Sequence, residues 1–282
     1  KKPRGIEANF GVIDAFGGAA YFETDNFNYT KIDVNDKRIA PHGYVVRTNY
    51  SFTGDSNQGS GDIRYETAEK LCYRASATNN LNIGYLLENI ALSLENSYTG
   101  QNLTNFETLN ENQENFFYFQ DCINRYSTSS SIIIQGVRIS EPVEFTTMWS
   151  YIGFPLASVA IPVWLTEKGV LPAILTAEKG QNAEMCDFAL KLKEQMIPSR
   201  RGSTKYYINT VKIKNAQGTG ITQKLTPVRQ LIFQKASESV ALWHKTSKIN
   251  QTEVLEYYQW VNSYVLKSYK EIFGLNLRGN LQ

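Results

Sequence analysis

The sequence predicts an α+β fold, and three observations point to it. Strand-like runs come in two blocks followed by helix-like runs, instead of the strict alternation that builds a doubly wound parallel sheet. Runs such as SVAIPVWL and SIII are apolar at consecutive positions, which predicts strands with both faces covered. The chain has 282 residues, 42% of them hydrophobic and 20% charged, enough to bury one large core or two smaller ones. A sandwich of two sheets with helices outside satisfies all three, and residues 1–282 are expected to form a single domain.

The first block holds ANFGVID (Ala8 to Asp14), AAYFET (Ala19 to Thr24) and YTKIDV (Tyr29 to Val34). The break from Asp14 to Gly18 reads as a hairpin turn whose glycines permit positive φ. A fourth strand follows the turn from Ala40 to Gly43 and runs to Asn49, so four consecutive strands are expected to make one sheet. Asp62 then reads as an N-cap, and Tyr65, Ala68, Cys72 and Ala75 recur at helical spacing from about Ile63. A second helix is expected from Ile83 to Leu94, and the asparagine-rich stretch from Asn96 to Asn115 reads as a surface excursion.

Strands return at SIIIQGVRI (Ser131 to Ile139), EFTTMWSYIG (Glu144 to Gly153) and SVAIPVWL (Ser158 to Leu165). Helices then dominate. Met185, Phe188, Leu192 and Met196 share one face, as do Val228, Ile232, Ala236 and Val240 after a start signal at Thr226-Pro227. The last helix carries Val254, Tyr258, Val261, Val265, Tyr269 and Ile272 on its stripe.

Composition removes several classes of chemistry. With 29 Lys+Arg against 27 Asp+Glu the net charge is +2 and no run of like charge stands out, so no nucleic-acid partner is expected. Cys72, Cys122 and Cys186 are far apart with no CxxC spacing, and His42 and His244 are the only histidines, so no metal site or other cofactor is expected. The most apolar segment, Ile152 to Leu165, is interrupted by Pro155 and Pro162 and is shorter than the roughly 20 residues of a membrane span. The glycine-bearing loops Phe16 to Gly18 and Gly59 to Gly61 lack both the Walker Lys-Ser/Thr and a GxGxxG spacing, which leaves phosphate cradling with little support.

The segment GYVVRTNYSFTG raises the functional question, because a core-like strand carries Arg47, Thr48 and Asn49 to its end. An amide fixed at the end of a strand is a preorganised donor for a developing oxyanion, worth about 3 kcal/mol. Asn49 also reads as a turn residue, and Asn49-Tyr50-Ser51 as a glycosylation sequon. Arg64 falls i−4 from Ala68 and i−7 from Leu71, beside the apolar stripe and in a first turn where the helix dipole disfavours a cation. Either it pairs locally with Asp62 or Glu66, or it faces an anion, a thiolate or a substrate carboxylate. Arg47 reads by default as a solvated surface cation and, with the loop Asp55 to Asp62, as a candidate for selecting a polar or anionic substrate.

Four segments in this order, GIEANFGVIDAFGGAAYFE (Gly5 to Glu23), APHGYVVRTNYSFTG (Ala40 to Gly54), IRYETAEKL (Ile63 to Leu71) and TTMWSYIGFPLASVAIPVW (Thr146 to Trp164), carry a resemblance. They look like the downstream part of the autoproteolytic acyltransferase and hydrolase family typified by isopenicillin N acyltransferase. These are N-terminal nucleophile hydrolases, relatives of choloylglycine hydrolase and acid ceramidase. The likeness covers about the first two thirds of the chain, and beyond Leu175 the helices are only compatible with it.

The resemblance implies a four-layer αββα sandwich that hydrolyses or transfers linear amide (C–N) bonds through a cysteine exposed as a new N-terminus by self-cleavage. It implies Asn49 as oxyanion donor, Arg64 as the residue that positions nucleophile or substrate, and Asn9 as a further cleft-facing amide, a residue that strand pairing explains equally well. It further implies a small-molecule amide or acyl substrate, no membrane span, and export from the cytoplasm. The Cys-Thr-Ser-like start of the family is not matched, so the nucleophile is expected on a missing N-terminal segment and these residues alone are expected to be inactive. The competing expectation is a catalytically inactive module of the same fold that binds a sugar or peptide through aromatic and amide side chains such as Tyr50, Phe52, Asn57 and Gln58.

Overall fold

The computed structural model describes residues 12–13, 20–24, 29–33, 36–38, 40–46, 61–105, 108–137, 140–199 and 201–276. It is an α+β protein of helices and small antiparallel sheets. Two compact units divide the chain: one holds Lys1–Asn102, Asp121–Ile123 and Gly136–Ser140, the other Leu103–Gln120, Asn124–Gln135 and Glu141–Gln282.

The first unit opens with β1 (Val12–Ile13), β2 (Ala20–Thr24), β3 (Tyr29–Asp33) and β4 (Tyr44–Val45). β1 pairs antiparallel with β4, Val12 opposite Val45, while β2 and β3 form their own antiparallel ladder, Ala20 opposite Asp33. Among the described residues these are two ladders, not one sheet of four strands in sequence order. A glycine turn signals that the chain reverses, not which strand it returns to, and the turn residues Asp14 to Gly18 lie outside the described residues.

Helix α1 (Asp62–Ala77) begins one residue earlier than a cap at Asp62 predicts. Gly61, at φ 93°, takes the left-handed turn into the helix, and Asp62 sits inside the first turn where its carboxylate complements the dipole. The buried face is Thr67, Leu71, Cys72 and Ala75, with Tyr65 and Ala68 half-buried beside it. Helix α2 (Ile83–Tyr85), capped by the Asn82 side chain, widens into a π turn over Leu86–Ile90 and stops short of Leu94. β5 (Glu95–Asn96) and β6 (Gln101–Asn102) make a hairpin. Asn96 is buried and accepts from the Tyr98 and Thr99 amides at 3.0 and 3.1 Å, so this end of the asparagine-rich stretch is a specified turn.

The second unit contains β7 (Phe116–Tyr118), β8 (Ser130–Gln135), β9 (Thr147–Ile152), β10 (Ile161–Val163), α3 (Glu184–Met196), β11 (Tyr207–Asn209), α4 (Ile221–Thr246) and α5 (Gln251–Phe273). Its antiparallel sheet runs β10-β9-β8, and β7 pairs with β11. β9 and β10 are covered as expected, but Ile132 and Ile134 of β8 are 50% and 63% exposed. An apolar run marks a strand without fixing its place, and among the described residues β8 is an edge.

Trp164, at the end of β10, centres the core of this unit. Its ring meets Trp243 and Tyr257 edge-on at 5.0 Å, its indole donates to Thr147 Oγ1 at 2.8 Å, and its main-chain N–H donates to the Tyr258 hydroxyl at 2.7 Å. Between β9 and β10 the chain makes a tight corner through a 3₁₀ turn at Pro155–Ala157. Gly153 enters it at φ 76°, where an added Cβ would lie 2.5 Å from the Ala189 Cβ. Arg229, buried on α4, donates to the carbonyls of Pro155, Leu156 and Ser158 at 2.7–3.1 Å, and the Tyr269 hydroxyl on α5 donates to the Ala157 carbonyl at 2.9 Å.

The periodic apolar faces of α3, α4 and α5 are buried where the sequence places them, with Val240 and Ile272 half-buried. The start of α4 is the exception. It begins at Ile221, so Pro227 lies within it, where the absent N–H would otherwise meet the Gln223 carbonyl one turn back.

Candidate functional site

Of the four residues singled out by sequence, Arg64 is described; Asn9, Arg47 and Asn49 lie outside the described residues. Arg64 is in the first turn of α1 and is half-buried. At about 100° per residue it falls in the middle of the buried arc, one turn before Ala68 and two before Leu71. It therefore lies on the buried stripe rather than beside it.

Two groups of contacts hold this turn. On one flank the Thr67 hydroxyl donates to the Ile63 carbonyl at 2.8 Å and accepts from the Ser97 amide at 3.1 Å. The Ser97 hydroxyl donates to the Ile63 carbonyl at 3.0 Å and to Glu66 Oε2 at 3.3 Å, which draws Glu66 toward the β5–β6 hairpin. On the other flank Tyr44 and Val46 pack with Cys72 in a small core that also takes in Tyr65, Ala68, Leu81 and Ile90. The Tyr44 hydroxyl reaches the Glu69 carbonyl at 3.3 Å. β4 and the residue that follows it thus pack on the helix that carries Arg64, and the segment Arg47 to Asn49 comes next in the chain.

Neither Cys72 nor Cys122 is set up as a nucleophile. Burial, aided by the Glu69 charge, pushes the Cys72 thiol up to about 12. Burial, with Asp121 nearby, pushes Cys122 up to about 12 as well, and its thiol points at the Leu94 carbonyl, 3.5 Å away. Cys186 is half-buried on α3. A thiolate needs positive surroundings, and these two environments favour the neutral form. Among the described residues no group of His, Cys, Asp and Glu is placed to hold a metal ion, and no helix is long and apolar enough to cross a membrane.

A second concentration of chemistry, not anticipated from sequence, lies in the second unit. Tyr118 and Tyr207 are opposite one another on the β7–β11 ladder, with rings 5.7 Å apart and each 44% exposed. Tyr206 meets both Tyr118 and Tyr126 edge-on at 6.3 Å. The Lys205 amine lies over Tyr126 and Tyr206 at 5.4 and 5.3 Å, and the Lys193 amine lies over Tyr126 at 4.5 Å while donating to the Tyr126 carbonyl at 2.5 Å. Burial lowers the Lys193 pKa from its ordinary value. The segment Lys205-Tyr206-Tyr207 is the one local signal of it, since the other members come from distant parts of the chain.

A separate polar cleft of about 300 Å³ is lined by Glu111, Gln195, Lys212, Asn215 and Lys224, among others. Its inner wall is a structural knot: the buried Asn215 side chain donates to the Val211 carbonyl at 3.0 Å, and the Thr219 hydroxyl donates to Glu111 at 2.6 Å. No family model matches the chain, and no curated protein or solved structure is significantly similar to it.

Proposed function

We propose that this chain belongs to an amide hydrolase or acyltransferase with a four-layer αββα arrangement, and that its nucleophile is an N-terminal cysteine lying outside these 282 residues. The observation that carries the proposal is the place of Arg64. Arg64 stands half-buried in the first turn of α1, on the arc that carries Leu71 and Ala75, where the helix dipole opposes a cation and a nearby anion would be favoured. The packing of Tyr44 and Val46 against the same helix supports a common site for Arg64 and the Arg-Thr-Asn segment. The raised Cys72 and Cys122 thiols support a nucleophile elsewhere.

In this mechanism the α-amine of the N-terminal cysteine takes the thiol proton and sulfur attacks the substrate amide carbon. The oxyanion that forms accepts a hydrogen bond from the Asn49 side chain. Collapse expels the amine, which leaves with the proton, and the thioester is then cleaved by water or by an acceptor amine. Arg64 holds the thiolate or a substrate carboxylate in register, and Asn9 and Arg47 contact the substrate. The exported location belongs to the same proposal and rests on the sequence resemblance.

The test is expression of the reading frame with its upstream sequence, followed by intact mass and N-terminal sequencing of each fragment. A fragment beginning with cysteine is expected, and Asn49→Ala should lower kcat by roughly 10²-fold or more with little change in KM. Arg64→Met should lose activity that Arg64→Lys partly restores. An uncleaved chain, or turnover by the 282 residues alone, would sink the proposal; the former would leave a non-catalytic binding module as the better account.

A further inference from the structure

We propose that the exposed tyrosine face of the β7–β11 ladder, flanked by Lys193 and Lys205, binds an acidic oligosaccharide. This surface is independent of the amide chemistry above. Cross-strand partners in an antiparallel ladder share a face, so Tyr118 and Tyr207 project together, while Ile208 on the other face is fully buried. Phe116 lies on the same face as Tyr118 and is 40% exposed. Contiguous exposed aromatic surface of this kind marks a contact site more often than an accident of packing.

Charge identifies the kind of occupant. Lys193 and Lys205, from separate parts of the chain, lie over the Tyr126 and Tyr206 rings, while Arg125 precedes Tyr126 in sequence and Arg201 stands at the start of the 3₁₀ turn Gly202–Tyr206. Among the described residues none of the four is ion-paired with a carboxylate. The two lysines thus bring positive charge without a carboxylate partner to one aromatic surface, which selects an anion.

The arrangement of the rings selects a sugar. Tyr206 and Tyr207 stand at 80° and 70° to Tyr118, so the rings form walls and not the row of parallel platforms on which successive bases of a single strand stack. A pyranose ring offers an apolar C–H face to one exposed tyrosine and hydroxyls to its surroundings. Exposed hydroxyls suit it, with Ser127 next to Tyr126 in sequence and Ser203 in the turn that ends at Tyr206. A carboxylate on such a sugar completes the match through the lysine ammonium groups.

The experiment is calorimetric titration of the whole chain with tetragalacturonate, with cellotetraose as the neutral comparator and oligo(dT) as the nucleic-acid comparator. Saturable binding of tetragalacturonate that weakens as salt is raised is expected, with cellotetraose roughly tenfold weaker. Tyr118→Ala and Tyr207→Ala should each weaken it by roughly tenfold or more, with unchanged circular dichroism. Lys205→Gln, a surface change that leaves the rings in place, should erase most of the preference for the acidic sugar. Absence of saturable binding, binding indifferent to Tyr118→Ala, or tighter binding of oligo(dT) than of tetragalacturonate would each overturn the proposal, the last by making this a single-strand site.

Discussion

Arg229 shows how one residue fixes the corner that joins β9 to β10. Its guanidinium satisfies carbonyls of Pro155, Leu156 and Ser158 that the tight turn leaves without strand partners. Arg229→Met, which keeps the aliphatic stem, should therefore lower the unfolding free energy by about 3 kcal/mol in a denaturant titration, because buried acceptors lose charge-assisted donors. Arg229→Lys should recover only part, since a point charge lacks the planar fork. The buried thiols act at the same scale through pH. Cys72 and Cys122 have pKa values raised from 9.0 to about 12, so folding favours their neutral forms. The stability this contributes is fully present below about pH 9 and is lost progressively as pH rises toward about 12. Buried Tyr257 and Tyr269 are shifted upward by burial too and act with the same sign. Thermal melts should accordingly hold a steady midpoint from neutral pH to about 9 and fall above it; a midpoint that rises across that alkaline range would contradict the burial of these groups.

At the level of elements, what was legible in the sequence is what depends on local periodicity. Met185, Phe188, Leu192 and Met196 mark α3 because a period of 3.6 places them on one face whatever that face meets. The pairing of β1 with β4 was not legible, since nothing in either run names its partner. α4 starts at Ile221, ahead of the Thr226-Pro227 signal, because its start is made by bonding to the preceding loop. The Gln223 side chain accepts from the Asn215 amide at 2.9 Å and donates to the Asn215 carbonyl at 2.9 Å, tying the first turn to the loop before it. Gly220 is the hinge of that tie, because an added Cβ would stand 2.2 Å from the Ile213 carbonyl oxygen and 2.7 Å from the Lys214 Cα. Both are main-chain atoms and cannot swing aside. Gly220→Ala should cost roughly 1–3 kcal/mol and shorten α4 at its first turn, measured by denaturant titration and by faster amide exchange there; full stability would mean that the loop shifts freely. Of the candidate site, the helical position of Arg64 could be read from spacing, whereas the tyrosine and lysine surface could not, because Tyr118, Tyr126, Lys193 and Lys205 meet only in three dimensions.

At the scale of the whole molecule the two units carry different reporters, and that makes their stabilities separable. All four tryptophans, Trp149, Trp164, Trp243 and Trp260, belong to the second unit, while Cys72 and Cys122 belong to the first. The second unit has a three-stranded sheet, helices of 26 and 23 residues, and a core centred on Trp164. The described core of the first is smaller and includes Tyr44 and Val46 packed with Cys72 of α1. Unfolding free energy grows with the apolar surface a unit removes from water, so the first unit is expected to open first. In a denaturant series, pulse alkylation of Cys72 and Cys122 should rise at a lower midpoint than the red shift of tryptophan emission. Coincident curves would mean that the units unfold as one cooperative body and that the first draws stability from the second. The outcome also bears on Arg64, because a separately opening first unit would expose the buried arc of α1 well before the tryptophan core is lost. Substitution at Arg64 would then be expected to move the thiol curve and leave the tryptophan curve in place.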